Sequence, residues 1–162
     1  MAQAASRTPH ARVRIDRIAI AGALAVSVGV ACGVRPETGP VDPAWDRDTC
    51  ERCAMILSDR RFAAQLRYAQ DRTVRHFDDL GCALLFWDER EAAGEIPQEV
   101  WVRDREGQDW LDARGTRFLE DPHTPMGYGF AAVGAAREGA LDFESVRRRV
   151  REIEHERRHP GR

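Results

Sequence analysis

Lysine and asparagine are missing altogether, so all 25 basic residues are arginine, a skew that points to GC-rich coding more than to a chemical choice. Charge of one sign is not in excess either. The 25 basic residues face 27 acidic ones for a formal charge of −2, which leaves no basic balance with which to bind nucleic acid. No hydrophobic run is long enough to cross a bilayer: the longest uncharged apolar stretch, residues 18–31, is 14 residues, where a spanning helix needs about 20. The chain contains no GxSxG, HExxH, P-loop or GxGxxG pattern, so the machinery of acyl, hydride or phosphoryl transfer is not visible and an enzyme is not expected. Apolar residues are not scarce. They make up 43% of the chain, too many for a fully disordered protein, and the length of 162 residues corresponds to one domain.

Arg7, Arg12, Arg14 and Arg17 precede the apolar run, which closes on Gly29-Val30-Ala31-Cys32. A basic region, a short apolar region and small residues at its end form a secretory signal. A Cys directly after Ala resembles the cleavage site of bacterial lipoproteins, although Gly29 stands where Leu is usual. A cleaved soluble protein and an uncleaved short anchor are the alternatives. This predicts a signal peptide over residues 1–31, lipidation at Cys32, and a Pro/Gly-rich tether over residues 32–48. The protein is expected to be anchored by lipid at the periplasmic or extracytoplasmic face. An acidic body has no electrostatic attraction to anionic membranes.

The folded domain is expected over residues 49–157, with a frayed tail at 158–162. Composition and alternation predict strands at residues 55–57, 62–68, 73–77, 100–104, 110–113, 117–119 and 128–133. A helix is predicted over residues 80–87, capped by Asp78 and Asp79, and a second over 143–157 with Phe143, Val146, Val150 and Ile153 as its apolar stripe. Phe77-Asp78-Asp79-Leu80 and Phe143-Glu144-Ser145-Val146 both open helices after short strands, a weak sign of duplication.

Without Cys32, the cysteines are Cys50, Cys53 and Cys82, an odd number in an oxidising compartment. Cys50-Glu51-Arg52-Cys53 is a CxxC. A zinc ribbon needs a second ligand pair, and none is present. A thioredoxin-type site would be followed by a helix, and residues 55–57 read as a strand. A plain disulfide stays open. Cys82, on the apolar helix face, reads as a buried small hydrophobe. Apart from the initiator the methionines are Met55, two residues after Cys53, and Met126, in the loop Pro125-Met126-Gly127. A thioether between turn formers is poorly placed for packing. Thiolate and thioether are the soft ligands that select Cu(I), and His123 adds a nitrogen on the second loop. Cys50, Cys53 and Met55 with His123 and Met126 are therefore the candidate metal ligands, provided the two groups meet.

The motifs Cys50-Glu51-Arg52-Cys53-Ala54-Met55, His76-Phe77-Asp78-Asp79-Leu80-Gly81-Cys82, Trp110-Leu111-Asp112-Ala113 and Thr124-Pro125-Met126-Gly127-Tyr128-Gly129-Phe130 occur in that order. The chain thereby resembles the NosL family, the nitrous-oxide-reductase accessory lipoproteins, across residues 50–133. The resemblance implies a small α+β domain of two related ββαβ-type halves, each with short strands and one helix. It also implies a membrane-anchored copper chaperone that binds Cu(I), with nitrous oxide reductase or another copper protein as client. Metal ligands would be drawn from Cys50, Cys53, Met55 and Met126, with His123 a further member. Ala54 stands where the family commonly has Gly. A thiol–disulfide oxidoreductase of copper-site cysteines, or a structural lipoprotein with a CxxC disulfide, are the competing readings.

Overall fold

Short apolar runs between turn formers can satisfy their backbone groups only by pairing with one another. The computed structural model, which describes residues 37–70 and 73–161, shows how they do so. The expected signal segment and Cys32 lie outside the described residues. Strands β1 (Ala64–Arg67), β2 (Val74–Phe77), β3 (Glu99–Arg103) and β4 (Trp110–Asp112) form an antiparallel sheet in the order β2-β1-β3-β4. Strands β5 (Arg117–Glu120) and β6 (Phe130–Val133) form a second antiparallel pair. A bridge between Asp104 and Ala132 joins it to the first sheet. Helix α1 (Leu80–Glu91) follows the β1–β2 pair, and helix α2 (Phe143–Arg158) follows the β5–β6 pair. This is the expected α+β class of short strands and two helices.

In register, Ala64, Leu66, Phe77, Val100 and Val102 share the sheet face that α1 covers, and all are buried. The other face of the central strand carries Gln65 and Arg67, both buried and therefore in need of partners. Residues from Gly39 onward supply them. Val41 N–H donates to Gln65 Oε1 at 3.0 Å, and Arg67 Nη2 donates to the Gly39 carbonyl at 2.7 Å. Glu99 receives both Arg67 Nε, at 3.2 Å, and the Gly39 N–H, at 2.9 Å. The Pro/Gly segment read from composition as a tether out to residue 48 is thus seated on the sheet from Gly39 onward.

Helix α1 is apolar on nearly all sides, burying Leu80, Cys82, Ala83, Leu84, Leu85 and Trp87, because it lies between the sheet and α2. Helix α2 keeps the narrow stripe expected of it, with Phe143, Val146 and Val150 buried and its remaining faces rich in Arg and Glu. The Trp87 and Phe143 rings, 5.9 Å apart, join the helices. The Arg147 guanidinium lies 4.0 Å from the Trp87 ring centroid and donates to Asp88 at 2.7 Å. Burying aromatics of this size stabilises by roughly 1.5–3 kcal/mol each. No helix among the described residues is long and apolar enough to cross a membrane.

Several strand expectations change. The strand expected over 62–68 begins at Ala64, after a 3-10 turn at Arg60–Phe62 that Asp59 caps, and Ala113 starts a second such turn. Residues 55–57 form no strand, only an isolated bridge from Ile56 to Thr49, because Ala54 adopts φ +60° and turns the chain back on itself. Strand β6 starts at Phe130 instead of residue 128, because Gly127 and Gly129 hold φ +67° and +84° and interrupt pairing.

Candidate metal centre

The CxxC is a tight turn. Cys50 N–H donates to the Met55 carbonyl at 2.8 Å, Ala54 N–H to the Cys50 carbonyl at 2.9 Å, and Glu51 N–H ties the turn to the His76 carbonyl at 2.9 Å. This last bond sets the turn beside the end of β2, where the chain passes through Asp78 and Asp79 into α1. Cys82, in the first turn of α1, points back to the same place. The Sγ atoms of Cys50, Cys53 and Cys82 and a carboxylate oxygen of Asp78 all lie within 4.8 Å of one another. The three thiols are free; Cys50 and Cys82 are buried and Cys53 is half-buried.

Asp78 and Asp79, read from sequence as a shared helix cap, divide their work. Asp79 is the cap: its Oδ1 accepts from the Gly81 N–H at 2.7 Å. Its Oδ2 accepts from the Met126 N–H at 3.0 Å, so one buried carboxylate starts α1 and holds the methionine turn. Burial raises its pKa, against the hydrogen bonds from Gly81 and Met126. Asp78 caps nothing and accepts from the Cys53 thiol at 3.4 and 3.5 Å through its two oxygens. Burial above all pushes Asp78 up to about 6.

The cluster is polarised. The neighbouring Cys82 thiol, aided by the Cys53 backbone and by Asp78, outweighs burial and draws Cys50 down to about 4. Cys82 is pushed up, first by its hydrogen bond to Cys50 and then by burial. Burial pushes Cys53 up to about 12. One thiolate among donating thiols, beside the positive end of α1, can form bonds to a soft cation and displace protons as it does so.

The methionine turn forms where Pro125 and Gly127 predict it. Gly127 N–H closes onto the Thr124 carbonyl at 2.9 Å, and the buried Thr124 hydroxyl accepts from the Gly129 N–H at 2.9 Å. Met126 and Cys53 both pack, half-buried, against the core cluster that contains Cys50 and Cys82. Met55 is 48% exposed, and with His123, Pro125, Ile56 and Asp78 it lines a groove of about 640 Å³. One residue from each sequence group, Met55 and His123, lines the same groove, and Asp78 belongs both to that groove and to the thiol cluster.

Two members of the cluster were hidden in the sequence reading. Cys82 is buried as expected for a core residue, yet its sulfur faces the other two. Asp78 was absorbed into the helix cap. One signal was available: a helix start needs one capping carboxylate, Asp79 supplies it, and the first aspartate of the pair, Asp78, is left over for other work.

Gly81 links the parts. A Cβ at Gly81 would come within 2.1–2.5 Å of the Tyr128 side chain, so the absence of a side chain there lets the Tyr128 ring lie on the start of α1. Residues 40–147, more than half the chain, match the family model for NosL. No curated protein sequence matches the chain. Among solved structures, the crystal structure of the copper chaperone NosL from Shewanella denitrificans is similar at a TM-score of 0.51 and 17% identity, over 69% of this chain and 87% of that one. At that identity the likeness establishes a shared fold, and the family match carries the assignment: this chain belongs to the NosL family.

Proposed function

We propose that this protein is a Cu(I) metallochaperone that carries copper on its extracytoplasmic domain and hands it to a copper-protein client. The reading is carried by the convergence of Cys50, Cys53 and Cys82 with Asp78 at the head of a groove lined by Met55 and His123. Thiolates select a soft monovalent ion, and thioethers add neutral donors that need no deprotonation. Cys50 and Cys53 are the proposed thiolate ligands, with Cys82 within reach. Met55 and Met126 are the proposed thioether ligands, and His123 the nitrogen at the groove. The chain acts as a carrier, not a catalyst. Met55, Cys53 and Met126 stay partly open to solvent, which suits a site that must release its cargo. Apo nitrous oxide reductase, at its copper–sulfide centre, is the proposed client, and it rests on the family alone. The anchor is proposed at Cys32, from the signal that ends in Ala31-Cys32.

Anaerobic Cu(I) titration of the reduced protein against a chromophoric chelator tests the reading. Tight one-to-one uptake is expected, weakened in Met126→Leu, a volume-conserving swap that costs under about 1.5 kcal/mol of stability. Absence of uptake by reduced, folded protein would overturn it. Zinc would use the sulfurs and the carboxylate and leave the thioethers idle, so Met126→Leu would not weaken it. For the anchor, Cys32→Ser should abolish lipid labelling; normal labelling of that variant rejects the assignment.

The lowered pKa of Cys50 favours a second reading, a thiol–disulfide oxidoreductase. Its burial opposes this, because an attacking sulfur must reach the substrate and Cys50 is 2% exposed. The more accessible Cys53 is the thiol that burial holds protonated.

A further inference from the structure

The last turns of α2 have a feature that neither packing nor solvation explains. After Val150 no residue of the helix is fully buried, although Ile153 still packs against the core, and the rest read from sequence as a solvated, salt-bridged face. Two of them instead reach the turns that carry the donors. Arg157 Nη1 donates to the Met126 carbonyl at 3.0 Å and Nη2 to the Gly127 carbonyl at 2.8 Å. Its guanidinium sits 4.6 Å from the Tyr128 ring centroid. Glu154 Oε2 accepts from the Tyr128 hydroxyl at 2.9 Å, and its Oε1 accepts from Arg52, inside the CxxC, at 3.1 Å. Arg52 also donates to the Tyr128 hydroxyl at 3.3 Å and to Glu89 on α1 at 3.3 Å. The Met126 backbone is thereby held on both sides, its N–H by Asp79 and its carbonyl by Arg157.

We infer that Arg157 and Glu154 are positioning residues of the metal site, bracing the methionine turn and the CxxC turn against one helix end so that their donors are presented together. This rests on the proposed Cu(I) reading. The Arg157 bonds are solvent-exposed and the Arg52–Glu154 pair is only part-buried, so both contribute little to stability and a role confined to stability would leave little to detect. A brace on ligand-bearing turns acts on affinity instead, because donors held in place lose less freedom when they bind, and second-sphere partners typically govern metal affinity by about 10–100-fold. Arg157 is suited to this because its planar fork reaches two adjacent carbonyls, which a lysine can do only through one centre.

The test uses the full chain with Arg157→Ala, Arg157→Lys, Glu154→Gln and, as a control, Arg148→Ala. Arg148 is exposed on the same helix and bonds to Ser145 at 3.2 Å, near the helix start and away from both turns. Melting curves, Cu(I) competition and X-ray absorption counts of copper-bound sulfur are measured side by side. The expected result is unchanged melting, about tenfold weaker Cu(I) binding with loss of sulfur ligands in Arg157→Ala, partial recovery in Arg157→Lys, an intermediate loss in Glu154→Gln, and a wild-type control. Wild-type affinity and sulfur count in folded Arg157→Ala overturn the inference and leave the Cu(I) reading standing, as does an equal loss in Arg148→Ala, which would assign the effect to net charge. Failure of the wild-type protein to bind Cu(I) overturns the Cu(I) reading and the brace with it.

Discussion

Helices α1 and α2 begin alike and are used in opposite ways. Each follows an antiparallel strand pair, and each starts on an aspartate that accepts from a backbone N–H of the first turn, Asp79 from Gly81 and Asp142 from Ser145. The start of α1 is buried and faces the thiols. The start of α2 carries the exposed Glu144 and its far end is the part near the donor turns. The site therefore lies where the beginning of one helix meets the end of the other. Helices with similar opening sequences acquire different roles from what covers them.

The largest expected break of this comparison is at the second helical position. Gly81→Ala pushes a methyl into the Tyr128 ring, while Glu144→Ala on α2 meets only solvent. The first should cost about 3 kcal/mol and the second less than about 0.5 kcal/mol by urea unfolding. Equal costs would mean that Tyr128 moves aside freely. Next come the caps. Asp142→Ala should give the smaller loss, that of an exposed cap alone. Asp79→Ala should cost about 2–3 kcal/mol, because the Met126 N–H loses its partner too. Faster amide exchange at Met126 in Asp79→Ala alone would locate the excess.

A smaller effect follows acid. Burial raises the Asp88 carboxyl, but hydrogen bonds from Arg151 and Arg147 outweigh it and hold the group below its ordinary value. A depressed carboxylate contributes stability that is complete above the unfolded pKa of about 3.9 and is lost as pH falls through the folded value. The α1–α2 contact should weaken below about pH 4, and Asp88→Asn should flatten that part of the stability profile. A wild-type slope in Asp88→Asn would assign the acid sensitivity to another carboxylate. The smallest effect is a gain. Ala54 holds φ +60°, where an L side chain is strained, so Ala54→Gly should stabilise the CxxC turn by about 0.5–1 kcal/mol, read as a rise in melting temperature.

Most elements were legible because their signals are local. The stripe Phe143, Val146, Val150 needs only helical spacing to be read, and all three are buried. The turn at Pro125-Met126-Gly127 follows from residue types that set or free φ. Residues 55–57 misled because their apolar composition is that of a strand, while Ala54, an alanine in a conformation that alanine avoids, turns the chain away. The seating of Gly39 and Val41 was not legible either, since it answers the needs of Gln65 and Arg67 on a strand that the sequence does not mark as central.

The donor types and the class of ion they suit were written in composition: thiols three residues apart, thioethers beside a CxxC and in a turn, one histidine near the second. Local order also dictated where both helices start. Convergence was a matter of packing. Cys82 and Asp78 join Cys50 and Cys53 because Glu51, through its N–H to His76 and its carboxylate to Arg75, sets the CxxC beside β2, and because a helix begun at Asp79 turns its third residue toward that spot. The end of α2 reaches the same place because Trp87, Phe143 and Arg147 lock the helices together. Spacing along a chain specifies which groups can act together locally, whereas contacts between residues far apart in sequence depend on what the core must bury, and that is settled only when every element is packed at once.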